Sequence, residues 1–338
     1  DWSVTGVQTC ALPIYANCRC FVVPVTVTPI VEVNSLTKRF GDTIVLRGID
    51  LSVDRGTVLG VLGPNGAGKT TVINCLTTLL RPDGGQATIA GYDVVAQPEA
   101  VRSLIGLTGQ FAAVDEVLTA RENLILFSRL LRLSSGAAKK RAQELLAQFD
   151  LTDAADRPVK TFSGGMRRRL DLAASIVVSP LVLFLDEPTT GLDPRSRQQL
   201  WSVVKDLKNQ GITIILTTQY LEEADALADQ IVVIDQGQVI AEGTVDELKD
   251  KVGGKFCELR LANLEDFDKV KALLSDIGEV ITGEMGKEGP IAIAAPNGAN
   301  TLTDIVLKLE AADIPLADIS LRRPSLDDVF FSLTGHTT

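Results

Sequence analysis

The sequence predicts a mixed α/β fold around a mostly parallel sheet, followed by a smaller α+β unit. Between residues 30 and 248, short strand-like runs alternate with helix-like runs, which is the pattern of parallel strands joined by crossover helices. A solid apolar run at residues 181–185 is typical of a central strand buried on both faces. After residue 255 the predicted elements follow the order β-α-β-β-α-β, which indicates a small ferredoxin-like fold.

The composition is that of a globular protein and argues against several functional classes. With 338 residues, the chain has room for a full-sized domain and a smaller one. The formal charge of −10 argues against a sequence-independent grip on DNA or RNA, so we expect no nucleic-acid partner. The single histidine, His336, gives no basis for a zinc site or a histidine-based catalytic triad. No apolar run reaches the length of about 18 residues that crosses a bilayer.

Two segments precede residue 250. Residues 1–29 show neither helical nor strand periodicity, and the run VTGVQTCALPI at 4–14 matches the translation of a common sequencing-adapter stretch. We therefore interpret residues 1–29 as a disordered or artefactual extension. Residues 30–249 are predicted to form the main domain, in which the charged helical stretch at 111–175 is a subdomain inserted between strands.

Several element boundaries are predicted from periodicity, glycine and proline. A helix over residues 71–80 is expected to stop before Pro82, and helical periodicity continues from 118 to about 146. A composition shift at 250–254 predicts a linker, and residues 250–338, which begin with it, are expected to form an accessory domain. A last helix beginning at Pro324 is expected to bury its apolar face, most simply against its own domain.

A glycine-rich loop, the phosphate loop (residues 63–70), fits the pattern GxxxxGK[ST] and follows a predicted strand at 57–62. Glycine lets the backbone wrap tightly enough for several N–H groups to reach one phosphate, and the following helix N-terminus adds partial positive charge. We expect Lys69 to reach the β- and γ-phosphates of a nucleotide and the Thr70 hydroxyl to ligate Mg²⁺. The flanking strand and helix argue against a chance glycine-rich turn. The residues expected to bind nucleotide here are Gly63, Pro64, Asn65, Gly66, Ala67, Gly68, Lys69, Thr70 and Thr71.

Two adjacent carboxylates, Asp186 and Glu187, follow the apolar run at 181–185. Neighbouring residues at a strand end can point to different sides, so one carboxylate can serve a metal ion and the other a water molecule. We expect Asp186 to hold Mg²⁺, directly or through water, and Glu187 to orient and deprotonate the attacking water. A plain acidic turn is the alternative, and the phosphate loop in the same chain argues against it.

A third motif, Ser163-Gly164-Gly165, opens a predicted helix that ends just before the strand carrying the two carboxylates. Here the chain resembles the ABC ATPase family, whose signature reads LSGGQ; Phe162 and Met166 depart from it. The resemblance implies that Ser163, Gly164 and Gly165 contact ATP bound to a second copy. It therefore implies a head-to-tail homodimer with two ATP molecules between the subunits. A serine that only caps the helix is the alternative.

Four further positions match the family in their order along the chain. Phe40 stands where an aromatic ring stacks on adenine, with core packing as the alternative. The resemblance implies that Gln110 contacts Mg²⁺ and senses a membrane partner, and that Asp193 lies at the dimer interface. Gln219 occupies the position where the family usually has a histidine that contacts the γ-phosphate. Glutamine can donate a hydrogen bond there but cannot carry a proton, and we count Gln219 with Glu187 and Lys69 as catalytic.

The residues around Gln219, Met166 and the run RPSLDDVF at 323–330 make the chain similar to the daunorubicin-resistance ATP-binding subfamily. The fold implied is a P-loop NTPase core of ABC type with an inserted helical subdomain and a small C-terminal domain that assists subunit assembly. The function implied is hydrolysis of Mg-ATP at the cytoplasmic face of the membrane, which powers export of a drug or other hydrophobic molecule through a separate integral-membrane permease.

Two alternatives to a transporter subunit stay open. One is a non-transport ABC ATPase of translation or DNA repair. Those proteins usually carry two ATPase domains or long coiled coils, which this sequence lacks. The other is a nucleotide-binding regulatory subunit with little turnover, against which the intact Glu187 argues.

Overall fold

The computed structural model describes residues 29–110, 112–252, 255–278, 280–282, 291–323 and 325–326. Of the predicted N-terminal extension it describes only residue 29, and the predicted C-terminal helix lies outside the described residues after residue 326.

Two sheets make up the larger part of the chain. The first is antiparallel, with strand order β2-β1-β4-β5: β1 (Val31–Phe40), β2 (Thr43–Val53), β4 (Gly84–Ile89) and β5 (Tyr92–Asp93). The second is the central sheet, with order β10-β9-β3-β8-β7-β6: β3 (Val58–Leu62), β6 (Ile105–Thr108), β7 (Val182–Asp186), β8 (Thr213–Thr218), β9 (Gln230–Asp235) and β10 (Gln238–Gly243). All its pairs are parallel except β9 with β10, so the predicted mostly parallel sheet is confirmed.

Helices cover both faces of the central sheet. They are α1 (Lys69–Leu76), α2 (Pro98–Leu104), α3 (Ala120–Leu130), α4 (Ser135–Gln148), α5 (Gly164–Ser175), α6 (Pro194–Asn209), α7 (Leu221–Leu227) and α8 (Val245–Val252). One core joins α1 to both sheets, and a second core packs α3, α4, α5 and α6 on the other side. Because α3, α4 and α5 lie between β6 and β7 in the chain, the predicted inserted helical subdomain is present.

A third, antiparallel sheet follows residue 255, with order β12-β13-β11-β14. Its elements are β11 (Phe256–Leu261), α9 (Phe267–Leu274), β12 (Val280–Thr282), β13 (Ile291–Ala294), α10 (Ala299–Ala311) and β14 (Leu316–Arg322). The two helices pack on one apolar cluster with the strands. The chain therefore shows the β-α-β-β-α-β order that the sequence indicates.

Three predicted boundaries were wrong for local reasons. The helix expected over 71–80 ends at Leu76, because Thr77 bonds back to the Ile73 carbonyl and Thr78 takes a left-handed φ of 65°. The helical stretch at 118–146 is two helices, interrupted where Arg132 has a φ of 65°. The linker expected at 250–254 is helical up to Val252, as the end of α8.

The C-terminal segment does not pack only on its own unit. Leu326 is buried in a cluster with Leu62, Ile231 and Val233, which belong to the central sheet, and with Leu248 of α8. The expectation that the last helix packs on its own domain was therefore wrong at Leu326, the one residue of its apolar face that the structure describes. Burial of an apolar side chain removes the same water-exposed area whichever element provides the partner surface.

Gly237, in the turn between β9 and β10, joins the two larger sheets beside the phosphate loop. Its N–H donates to the Ala67 carbonyl at 3.1 Å, and its carbonyl accepts from the Arg47 N–H at 2.8 Å. Its φ is +78°, and a Cβ there would lie 2.2 Å from the Val45 carbonyl oxygen.

We expect Gly237→Ala to lower the free energy of unfolding by about 1–3 kcal/mol more than Gly91→Ala, since only the first forces atoms apart. Gly91 is a matched control because its φ is +81° and a Cβ there would meet nothing within 4 Å. Denaturant unfolding of the two variants measures the difference. Equal losses would contradict the close approach.

Candidate functional site

The predicted site residues converge because four parallel strands end at one edge of the central sheet. Strands β3, β8, β7 and β6 are neighbours in that order and run in the same direction. The phosphate loop follows β3, Gln219 follows β8, Asp186 ends β7 and Gln110 follows β6. The carboxyl end of a parallel sheet is where such folds bind ligands.

The phosphate loop is held tightly against β9. A Cβ on Gly63 would lie 2.2 Å from the Ile234 carbonyl oxygen, so this position accepts only glycine. The Lys69 Nζ donates to the carbonyl oxygens of Gly63 at 2.8 Å and Pro64 at 3.1 Å. Burial lowers the pKa of Lys69, and the negative charges of Glu187 and Asp186 oppose that shift. The loop therefore holds the Lys69 side chain at the point where α1 begins.

Asp186 connects α1, β7 and β8. Its Oδ1 accepts a hydrogen bond from the Thr70 hydroxyl at 3.2 Å and another from the Thr217 hydroxyl. Carboxylate and hydroxyl oxygens are the ligands that Mg²⁺ prefers, so this donor set fits a magnesium ion. Asp186 is buried while Thr70 is exposed, so the pair lies at the surface of the sheet edge.

Glu187 has a strained backbone. Its φ is 46°, in the left-handed region that residues other than glycine rarely occupy. The Glu187 N–H donates to the carbonyl and the hydroxyl oxygens of Thr217, both at 3.1 Å, and its Oε2 accepts from the Thr190 hydroxyl at 3.2 Å. Strain of this kind persists where the surroundings over-determine it, which is common at active sites. The sequence predicted Glu187 but not Thr217, which binds both acidic residues.

A second group that the sequence did not predict lies on α5. Arg168 is buried and donates to the backbone carbonyls of Asp186, Glu187 and Pro188. Asp171 is also buried, one turn further along. A signal existed in the sequence, because two charges three residues apart on the inward face of a helix indicate a buried pair.

The Ser-Gly-Gly motif and Asp193 lie on two helix N-termini that contact each other. The Ser163 hydroxyl accepts from the Met166 N–H at 3.2 Å, so it caps α5, as the plainer alternative expects. Asp193 caps α6 by accepting from the N–H and hydroxyl of Ser196 at 2.9 and 2.6 Å. A Cβ on Gly165 would lie 2.5 Å from the Ser196 Oγ, so glycine permits this contact. Ser163 and Asp193 remain exposed, which leaves the caps accessible to a partner.

The other predicted residues lie at the surface. Phe40 ends β1 and is 47% exposed, with the Lys38 Nζ 5.5 Å from its ring centroid. This exposure excludes the alternative that Phe40 is part of the core. Gln110 and Gln219 are both exposed at the sheet edge.

A phosphate loop at the edge of a parallel sheet, with a hydroxyl and two carboxylates beside it, defines a P-loop NTPase. The family pattern described as ABC transporter matches residues 46–190. The chain is 53% identical to a daunorubicin resistance ATP-binding protein of Streptomyces coeruleorubidus, over 91% of this chain and 96% of the relative. It is 51% identical to a doxorubicin resistance ATP-binding protein of Mycobacterium tuberculosis, over 91% of this chain and 94% of that relative.

Solved structures agree with these relatives. An ATP-binding subunit of an ABC transporter superposes with a TM-score of 0.60 at 30% identity, covering 66% of this chain and 92% of its own. A dimeric ATP-binding cassette in a post-hydrolysis state, bound to ADP and phosphate, superposes with a TM-score of 0.58 at 25% identity. The match covers 63% of this chain and 98% of that structure's chain.

The chain belongs to the ABC transporter family, among the daunorubicin- and doxorubicin-resistance ATP-binding proteins. It is accordingly an ATP-hydrolysing, ATP-binding subunit, and the translation, repair and regulatory alternatives are not favoured. Among its described helices, we find none with the length and apolar character needed to cross a membrane.

Thr217→Val removes the hydroxyl that binds both Asp186 and Glu187 while keeping the side-chain shape. We expect kcat for ATP hydrolysis to fall by about tenfold or more, with little change in KM, because the Asp186 carboxylate and the Glu187 backbone N–H each lose a hydrogen bond that orients them. Thr213→Val is the matched control, since Thr213 is buried on the same strand and its hydroxyl accepts from the Gly56 N–H instead. Steady-state ATPase rates that are equal for the two variants would refute a role for Thr217.

Proposed function

We propose that this ATPase powers the export of a drug or other hydrophobic molecule through a separate integral-membrane permease. Two copies close head to tail over two ATP molecules, and the permease holds the subunits at the cytoplasmic face of the membrane. The drug names come from the relatives, which are 53% and 51% identical over most of the chain. The dimer is supported by a solved cassette that is dimeric in its ADP- and phosphate-bound state.

The observation that carries the ATP-hydrolysing part of the proposal is the contact of the Thr70 hydroxyl with Asp186, next to Glu187 and Lys69. One hydroxyl and two carboxylates converge at the N-terminus of α1, beside the buried Lys69 side chain. In this arrangement the loop N–H groups and Lys69 bind the β- and γ-phosphates. Thr70, Asp186 and Gln110 are the residues that would hold Mg²⁺, which when bound neutralises phosphate charge.

Glu187 is proposed as the general base that orients the attacking water and accepts its proton. Its backbone N–H is held by Thr217, so the carboxylate is placed from β8 as well as from β7. Gln219, exposed at the end of the same strand β8, is proposed to donate a hydrogen bond to the γ-phosphate. Glutamine does not change charge, so the proton transfer falls to Glu187 alone.

The dimer contacts are proposed to lie on the two adjoining helix N-termini. Ser163, Gly164 and Asp193 are exposed there, and Gly165 allows the close approach of α5 to α6. A helix N-terminus favours negative charge, so the Ser-Gly-Gly segment suits the γ-phosphate of ATP bound to the other copy. Phe40, exposed at the end of β1, is proposed to stack on adenine.

Residues 250–338 are proposed to form an accessory domain that assists subunit assembly. Its sheet has a core of its own, and Leu326 anchors the segment after that sheet to the central sheet. A surface ion pair between Arg323 and Asp246, at 3.2 Å, adds a second contact. The accessory domain thus reaches the strand that precedes the phosphate loop.

We expect Glu187→Gln to abolish ATP turnover while ATP binding persists, because the amide cannot accept a proton. Gln219→His should keep kcat within about tenfold of the original value, since either side chain donates a hydrogen bond. Phosphate release and equilibrium ATP binding measure the two effects. Normal turnover by the Glu187→Gln variant would show that another group is the base.

For transport, we expect a reading frame beside this gene to encode a protein with several hydrophobic spans of ~20 residues each. Co-expression of the two chains should lower doxorubicin retention in drug-sensitive cells, and the Glu187→Gln variant should remove that effect. Retention that stays the same with the active pair would contradict drug export while leaving the ATPase assignment intact.

A further inference from the structure

The buried Arg168 guanidinium binds two separate segments of the site with all three of its nitrogens. Its Nη1 donates to the Gly109 carbonyl at 2.6 Å. Its Nε donates to Pro188 at 2.8 Å, and its Nη2 to Asp186 at 3.0 Å and Glu187 at 3.3 Å. One side chain on α5 therefore joins the end of β6 to the turn that carries both carboxylates.

Asp171 completes the contact from the same helix. Its Oδ1 accepts from the Ala113 N–H at 2.7 Å, and its Oδ2 lies 3.6 Å from the Arg168 Nη1. Gly109 precedes Gln110 and Ala113 follows it by three positions. Arg168 and Asp171 thus hold the backbone on both sides of Gln110.

The chemistry of the pair is unusual for a helix that only packs. Burial lowers the pKa of Arg168 and raises that of Asp171, while each partner's charge opposes the other's shift. A buried ion pair adds little stability compared with apolar residues of the same size, so stability alone is a weak reason for it. Only arginine has a planar fork that can reach several carbonyls at once, and lysine cannot replace it.

We propose that Arg168 and Asp171 are positioning residues that fix Gln110 relative to Asp186 and Glu187. The proposal rests on the proposed roles of Gln110 and Glu187 in hydrolysis. Because both residues lie on α5, which begins at the Ser-Gly-Gly motif, a displacement of that helix moves the carboxylates and the backbone around Gln110 together. Contact with the second copy and contact with the permease would then act on the same two backbone segments, the one around Gln110 and the turn at 186–188.

The test is a double-mutant cycle with Gln110→Ala in the full chain at saturating Mg-ATP. We expect Arg168→Lys to lower kcat by about tenfold or more, because a misplacement of about 1 Å is enough to slow a reaction strongly. In the Arg168→Lys background, Gln110→Ala should lower kcat by no more than roughly twofold further, since Gln110 is already displaced.

The matched control is Arg169→Lys, the next residue on α5, which pairs with the exposed Asp150 away from the site. In the Arg169→Lys background, Gln110→Ala should lower kcat by the same factor as in the original protein. Hydrogen exchange of the Ala113 amide should rise in Arg168→Lys and not in the control. If Arg168→Lys does not fold, Asp171→Asn replaces it in the kinetic cycle. Its amide oxygen still accepts from the Ala113 N–H while the charge is lost, so for this variant the kinetic cycle alone decides.

Two results would overturn the proposal. One is multiplicative losses of kcat in the Arg168→Lys and Gln110→Ala cycle, as a merely structural role predicts. The other is Ala113 exchange that stays at the original rate. If Gln110→Ala alone leaves kcat unchanged, the proposed function of Gln110 fails, and the exchange result then decides on its own whether the pair holds this backbone.

Discussion

The hydrogen bond from Thr70 to Asp186 is the contact on which the site depends. It joins the first turn of α1 to the end of β7, elements that are far apart in the chain. Asp186 can meet Thr70 only because β3 and β7 run parallel with β8 between them, so that their carboxyl ends share one edge. The register of three buried strands thus sets the distance between the two proposed magnesium ligands, and a slip of one residue would turn Asp186 to the other face.

Much of the fold could be predicted from periodicity. The buried strand β7 falls on the solid apolar run at 181–185, and β11 falls at the residues that its alternation indicates. The errors arose where a local hydrogen bond outweighs the pattern, as at Thr77, whose hydroxyl binds the Ile73 carbonyl and ends α1 early. Strand β10 was missed because it is half exposed and follows β9 after a tight turn.

The residues of the candidate site also differ in how far the sequence alone identifies them. Lys69 with Thr70, and Asp186 with Glu187, stand in two contiguous motifs, so the sequence alone is enough to identify them. Thr217 and Arg168 act through contacts between segments that only the assembled sheet brings together. Thr217 reads in the sequence as an ordinary strand residue, and its importance follows only from β8 lying next to β7. Residues proposed to bind the ligand are thus easier to predict than the residues that hold them in place.

The position of Leu326 has a consequence for how this chain evolves. Leu62, the last residue before the phosphate loop, has part of its apolar surroundings supplied from beyond the third sheet. Substitutions at Leu62 are therefore constrained by a residue that lies outside the central sheet. A lineage that lost this segment would have to replace Leu62, Ile231 and Val233 with more polar residues or cover them with another chain. Changes in the segment after the third sheet and changes in the central sheet are in this sense coupled, even though each sheet has its own core.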